Sequence, residues 1–312
     1  MLIRNERSVL SRGERGERLL PCPKGKAVGR YRKILVAVDG SDSSKNAFRQ
    51  ACRIARDDKS WITVVTTIPL YHDQFDVLST REKVERALKE DGEKTLAEIK
   101  RLADEEDAFI KPRLEEGSAF DTIIDIAEDG NFDLIVMGRH GKTRLEKALV
   151  GNVTARVIGH SQRDVLVVPN NTSLMWDNIF LATDGSKYSK AATEKAIDLS
   201  KSYNGKLKAV SAVDVTDEFQ TQAPGAVEAL IKEAKRFVED VRKKAEGEGI
   251  STEIFVREGE TFRVITDLSR EYGSGIIVMG SHGRTGLKRL LMGSVTEKVI
   301  GYAQCPVLVV SV

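Results

Sequence analysis

The chain has 312 residues, 41% of them hydrophobic and 31% charged, with a net charge of +2 and three cysteines. That suits two globular domains of about 150 residues, each with its own core. It argues against a membrane helix, because no apolar run approaches the ~20 residues one needs, and against a disulfide or zinc framework, because Cys22, Cys52 and Cys305 are scattered and odd in number.

Residues 1–30 hold eight Lys/Arg and three Asp/Glu, which leaves a net −3 on the remainder. They are expected to form a basic, disordered, solvated extension. No aromatic residue precedes Tyr31, so the arm offers bases nothing to stack on, and nucleic acid is not expected as a partner. This charged opening also lacks the unbroken apolar stretch of a secretory signal, so the expectation is a cytoplasmic protein with no membrane partner.

From residue 31, short apolar runs alternate with amphipathic segments. Strands are expected at Lys33–Val38, Trp61–Ile68, Phe109–Leu114, Phe132–Met137 and Asp164–Pro169. Helices are expected at Ser43–Asp57, roughly Val77–Glu106, Ala119–Asp129 and Gly151–His160. Cys52 falls on an apolar helix stripe with Phe48 and Ala55, and Cys305 precedes Pro306 and a strand, so both read as buried or half-buried thiols. Pro112 places the third strand near a sheet edge. Leu134–Met137 and Val165–Val168 are apolar without alternation, as in strands covered on both faces.

The chain then repeats itself. KILVAVDGS at 33–41 matches NIFLATDGS at 178–186, EEGSAFDTIIDIAEDGNFDLIVMGRHG at 115–141 matches REGETFRVITDLSREYGSGIIVMGSHG at 257–283, and VLVVP at 165–169 matches VLVVS at 307–311. Two copies of one α/β plan follow, residues 31–169 and 178–312, joined by the polar stretch NNTSLMWD at 170–177. Each copy should be a doubly wound, Rossmann-like sheet of five parallel strands.

In such sheets ligands bind outside the carboxyl ends of the strands. The first strand of each half ends in Asp39-Gly40-Ser41 or Asp184-Gly185-Ser186, and the fourth in Gly138-Arg-His-Gly141 or Gly280-Ser-His-Gly283. After nine intervening residues, Gly151-Asn152 or Gly293-Ser294 opens the next helix. Glycine allows positive φ and lets backbone N–H groups approach an anion. A helix start adds unpaired N–H groups and about half a positive charge. Arg139, Lys142 and Arg144 stand beside one loop, Arg284, Lys288 and Arg289 beside the other. Together these features favour a polyphosphate ligand over mere turns.

Ser-Val-Thr-Glu at 294–297 reads as a capping box, and Asn152 as the matching cap with a bulkier amide, so the second site is expected to be the better one. Asp39 and Asp184 could face ribose hydroxyls or a metal ion, or cap the following helix. His140 and His282 lie inside the glycine pairs and are expected to bond backbone; His72 and His160 have no assigned role. Two rival motifs fail. GKT at 141–143 lacks the earlier P-loop glycine, because residue 136 is Val. A dinucleotide fingerprint belongs after the first strand, not the fourth.

The pattern G-x-x-G, nine residues, then G-[S/T] after the fourth strand, with D-G-S after the first, resembles the universal stress protein family, in tandem over about residues 31–312. The second half meets it at Gly280, Gly283, Gly293 and Ser294; the first meets it at Gly138, Gly141 and Gly151 and departs at Asn152. The resemblance implies ATP as ligand, with or without magnesium, an Asp near the nucleoside (Asp39, Asp184), and adenine contacts at about Thr67 and Ala212. It also implies dimerisation through the last strand. The eight-residue linker can span up to about 28 Å, which allows either a pseudo-dimer within one chain or a homodimer. The favoured function is an ATP-binding regulatory or stress protein. The alternatives are a nucleotide-free interaction module and a slow ATPase, for which His282 is the only candidate base.

Overall fold

KILVA at Lys33–Ala37 forms β1 of a ten-stranded sheet whose inner strands come from similarly apolar runs, while its two outer strands, IKPRLEE at 110–116 and TEIFVRE at 252–258, mix apolar with charged residues. The computed structural model describes residues 31–70, 78–142, 149–284 and 292–312. The expected extension at 1–30, Cys22, His72, Arg144, Lys288 and Arg289 lie outside the described residues.

The first half runs β1, α1 (Asp42–Asp58), β2 (Trp61–Ile68), α2 (Leu78–Glu105), β3 (Ile110–Glu116), α3 (Ala119–Asp129), β4 (Leu134–Gly138), α4 (Asn152–His160) and β5 (Asp164–Val168). The second runs β6 (Asn178–Ala182), α5 (Lys187–Tyr203), β7 (Lys206–Val213), α6 (Asp217–Gln222), α7 (Pro224–Gly247), β8 (Thr252–Glu258), α8 (Thr261–Glu271), β9 (Ile276–Gly280), α9 (Ser294–Tyr302) and β10 (Val307–Val310). Helix α6 is the one short element that sequence periodicity did not indicate. Thr216 caps it by accepting from the Phe219 N–H, and Pro224, suited to a first helical position, starts α7.

The strand order is β3-β2-β1-β4-β5-β10-β9-β6-β7-β8. Strands within each half are parallel, and β3, which carries Pro112, is an outer strand. The halves join where β10 pairs antiparallel with β5, setting Val307 opposite Val167, Leu308 opposite Leu166 and Val309 opposite Val165. Two apolar strands that would otherwise be open edges thus cover one another within one chain.

Alternation along the strands feeds two cores, one on each face. Leu166, Val168, Leu308 and Val310 pack with Phe48, Ile99, Ala192 and Leu199 on one face. Val165, Val167, Val307 and Val309 pack with Ile123, Val157, Ile265 and Val299 on the other. Each core runs through both halves, so the seam is interior rather than a surface contact.

The joining stretch is less polar in effect than its composition. The Asn46 amide donates to the carbonyls of Pro169 and Thr172 (2.8 and 3.0 Å), Gln50 accepts from the Leu174 N–H (2.9 Å), and Leu174 is buried. Trp176 stacks on Tyr203 with ring centroids 4.3 Å apart. Below the seam, Asp164 accepts from the Tyr31 hydroxyl (3.2 Å) and pairs with Lys195 (2.9 Å) of the second half. Burial, with Asp164 beside it, raises the Tyr31 hydroxyl well above its ordinary range.

Cys52 and Cys305 are both buried free thiols. Burial pushes Cys52 from 9.0 up to about 12 and Cys305 to about 11. A raised folded value means a contribution to stability that is complete below pH 9 and is lost as pH climbs through about 11 to 12. Both thiols are therefore expected to resist iodoacetamide at pH 8 in the native protein and to label once denaturant is added. Peptide mass spectrometry reads this, and rapid native labelling of either would contradict their burial.

Candidate functional site

In each half the chain turns back on the order of its sheet between the first and fourth strands, β1 and β4 or β6 and β9. A crevice opens there at the carboxyl ends, as expected of such switch points. It measures about 410 Å³ in the first half and 360 Å³ in the second, within the range of small-ligand sites. All six expected residues of the first half line it: Asp39, Thr67, Gly138, Gly141, Gly151 and Asn152. So do all six of the second: Asp184, Ala212, Gly280, Gly283, Gly293 and Ser294.

The turn after the first strand needs positive φ at Gly40 (+82°) and Gly185 (+76°), a conformation that side chains rarely tolerate. The loop glycines are different: none of Gly138, Gly141, Gly151, Gly280, Gly283 and Gly293 uses the positive φ that glycine permits. At the glycine pairs close approach is the reason, because a Cβ would collide or press hard on its neighbour, whereas at Gly151 and Gly293 it would fit tightly at 3.3 Å. At Gly138 it would sit 2.7 Å from the backbone carbon of Ser43, and at Gly280 2.6 Å from Cβ of Tyr188, so strand end and helix start meet without a spacer. At Gly141 a Cβ would lie 2.5 Å from Oδ2 of Asp39, and at Gly283 3.0 Å from Oδ2 of Asp184.

Of the two roles open to Asp39 and Asp184, helix capping is not the one taken. The caps are Ser41 and Ser186, whose hydroxyls accept from the N–H groups of Ser44 and Ser189. Asp39 instead holds the site together. One carboxylate oxygen accepts from the Ser41 N–H (3.0 Å) and hydroxyl (2.6 Å), the other from the Lys142 N–H (2.7 Å) across 103 positions of sequence. Asp184 accepts from the Ser186 N–H (3.0 Å).

At the opposite wall the expected capping box does not form. Gly151 and Gly293 are the N-cap residues, neither helix start carries a side-chain cap, and Asn152 and Ser294 are the first helical residues. The first helical amides to find carbonyls in their own helix belong to Ala155 (to Gly151, 2.9 Å) and Glu297 (to Gly293, 3.0 Å). The N–H groups of 152–154 and 294–296 therefore have no partner within their helices and stand at the crevice mouth, the end of a helix that attracts anions. Thr154 and Thr296 donate to the carbonyls of Gly138 and Gly280 (3.0 and 3.1 Å), tying each helix start to its strand end. Sequence reasoning passed over these two, although threonine recurs at the same place in both copies. It also passed over the apolar walls, Val65, Ile123 and Met137 in one half and Val210, Ile265 and Met279 in the other.

Of the expected cations, Arg139, Lys142 and Arg284 lie within the described residues, and Arg284 lines the second crevice; each is engaged by a protein partner. Lys142 pairs with Asp91 (2.7 Å) on α2, Arg284 makes a two-pronged contact with Glu233 (2.9 and 3.0 Å) on α7, and the Arg139 guanidinium reaches the carbonyl end of α9. Long side chains settle on whichever carboxylate the fold brings near. His282 lines the second crevice with Nδ1 3.1 Å from the Ser281 hydroxyl and its ring against Tyr188 at 5.2 Å; His140 lines the first. His160 meets the Arg156 carbonyl at 2.8 Å. Among the described residues, no three His, Cys, Asp or Glu side chains gather into a metal-binding group.

The universal stress protein family pattern matches residues 30–169 and again 175–311. A universal stress protein of Methanocaldococcus jannaschii is 35% identical over 144 residues, 45% of this chain and 85% of its own. One from Mycolicibacterium smegmatis is 26% identical over 299 residues, 89% of this chain and 96% of its own. A universal stress protein structure from Archaeoglobus fulgidus shares the fold, with a TM-score of 0.69 at 21% identity, over 92% of this chain and 98% of that one.

Proposed function

Because this chain belongs to the universal stress protein family, twice over, we propose that its crevices are nucleotide sites and that it is an ATP-binding regulatory protein. The observation that carries this is the pairing, in one crevice of about 360 Å³, of an uncapped helix start with an apolar wall. The amides of 294–296 suit phosphate oxygens, while Val210, Ile265 and Met279 suit the base. Ser294, freed from capping, can donate its hydroxyl to a phosphate. Ala212 on β7 and Thr67 on β2 line the crevices and would meet the base, and Asp184 and Asp39, which line them at the ends of the first strands, would lie near the ribose. Asn152 puts a larger amide at the phosphate end of the first crevice, so the second is the stronger site. Magnesium would be held by phosphate oxygens and water, which is its usual habit.

A nucleotide-free interaction module is the second reading. It is favoured by the ion pairs that engage Lys142 and Arg284, which leave the amides as the anion-binding groups. Calorimetry with ATP and magnesium separates the two. We expect one saturable site on the second half and weaker binding on the first; complete absence of heat, with no nucleotide released from the purified protein on denaturation, would end the ATP reading. The β5–β10 pairing supports a self-contained pseudo-dimer, and light scattering is expected to give one chain of 34.5 kDa per particle.

A further inference from the structure

An arginine reaches from the first crevice to the helix that heads the second. Arg139 lies inside the first glycine pair, yet its guanidinium crosses the seam. There one of its nitrogens faces the carbonyls of Ile300 (3.2 Å), Gly301 (2.8 Å) and Ala303 (3.2 Å) at the carboxyl end of α9. Those carbonyls belong to the last turn and to the cap, where intrahelical partners run out, and a cation there also opposes the negative end of the helix. Helix α9 is nine residues long, about 13 Å. Its other end is the uncapped start, Gly293 and Ser294, that lines the second crevice.

Arg139 is itself held by the first crevice. Its N–H donates to Val168 (3.1 Å), and its carbonyl accepts from the N–H of Gly151 (2.8 Å), the cap residue of α4. Beside it, Leu149 from the same loop packs so closely on Gly301 that a Cβ there would lie 2.8 Å from Leu149 Cβ. The loop of one site thus grips the helix that heads the other.

Among the described residues, no arginine makes the reverse link. The residue matching Arg139 in the second half is Ser281, whose hydroxyl meets the His282 ring. Both helices close their last turn internally, α4 by the Ser161 N–H to the Val157 carbonyl (2.9 Å) and α9 by the Ala303 N–H to the Val299 carbonyl (2.8 Å); at α4 the group that crosses the seam is the Ser311 hydroxyl, which follows β10 and donates to the Ser161 carbonyl (3.1 Å).

We infer that Arg139 is a positioning residue for the second crevice: it fixes α9 so that the amides of 294–296 meet a phosphate, and it couples the two crevices energetically. The arginine reaches in one direction, but linkage makes its effect on binding mutual. The ligand in this statement rests on the nucleotide reading; the grip on α9 does not.

The test is hydrogen exchange on the full chain, during titration with ATP and magnesium, for wild type, Arg139→Ser and Arg139→Lys. Amides of 293–299 report the second crevice and those of 151–157 the first. Without ATP, Arg139→Ser is expected to speed exchange across α9, and Arg139→Lys to restore part of the protection. With ATP, the titration midpoint read at 293–299 is expected to rise about two- to fivefold in Arg139→Ser, the scale of a lost cation–helix contact. An unchanged midpoint at 293–299 overturns the inference. If ATP protects neither crevice in wild type, the nucleotide reading fails, and the ligand-free exchange decides alone: faster α9 exchange in Arg139→Ser upholds the grip, and wild-type exchange overturns it.

Discussion

Gly293→Val is expected to abolish ATP binding in the second crevice while leaving the chain folded. Gly293 has φ −65° and ψ 143°, a backbone conformation valine adopts without strain. Its Cβ would lie 3.3 Å from His282 Cα, a tight but adjustable approach. The γ-methyls, however, would occupy the space in front of the amides of 294–296. Losing two amide–phosphate bonds, at about 1.5–3 kcal/mol each for a charged acceptor, weakens binding by at least about a hundredfold. Calorimetry on Gly293→Val, with circular dichroism to show the fold intact, checks this, and wild-type affinity would refute the placement of phosphate. Gly280→Val makes the contrasting control. Its Cβ would meet the Tyr188 backbone at 2.8 Å, so that variant is expected to lose the fold rather than the ligand alone.

The second large effect concerns the seam. Leu308 is 1% exposed and faces Leu166 across the β5–β10 pairing, between two cores that each span both halves. Truncating such a leucine to alanine costs about 2–5 kcal/mol. An aspartate there would also strand a charge without a partner, which costs more. Against a total stability of about 5–15 kcal/mol, Leu308→Asp is expected to part the halves and bare two apolar edges, which invites association. Denaturant unfolding with light scattering reads both consequences. A single transition at the wild-type midpoint, with no particle growth, would show that the halves stand independently of this strand pair.

These effects are large for one reason: the molecule spends its small residues where backbone must meet backbone or ligand, and its bulky ones where the halves meet. The two demands fall within a few residues of each other, at Gly138 and Arg139 and at Gly301 beside Ala303. A change in this region therefore reaches both sites.

The apolar runs, the recurrence of Asp-Gly-Ser and Gly-x-x-Gly, and Pro112 determined by themselves the sheet, its doubling, its outer strand and the rim on which twelve residues gather. These are consequences of local chemistry: alternation selects faces, proline cannot join a ladder on both sides, and glycine marks close approach. What the tertiary structure alone decided is where each polar group finds its partner. Ser294 misses the cap by one residue because the Gly293 N–H is drawn to the Ser281 carbonyl (2.9 Å). Asp39 holds Lys142 instead of capping a helix, and Arg139 leaves its own crevice for the end of α9. A hydrogen bond or ion pair forms with whatever the fold carries within about 3 Å, and a string of residues does not record distances between positions a hundred or more apart.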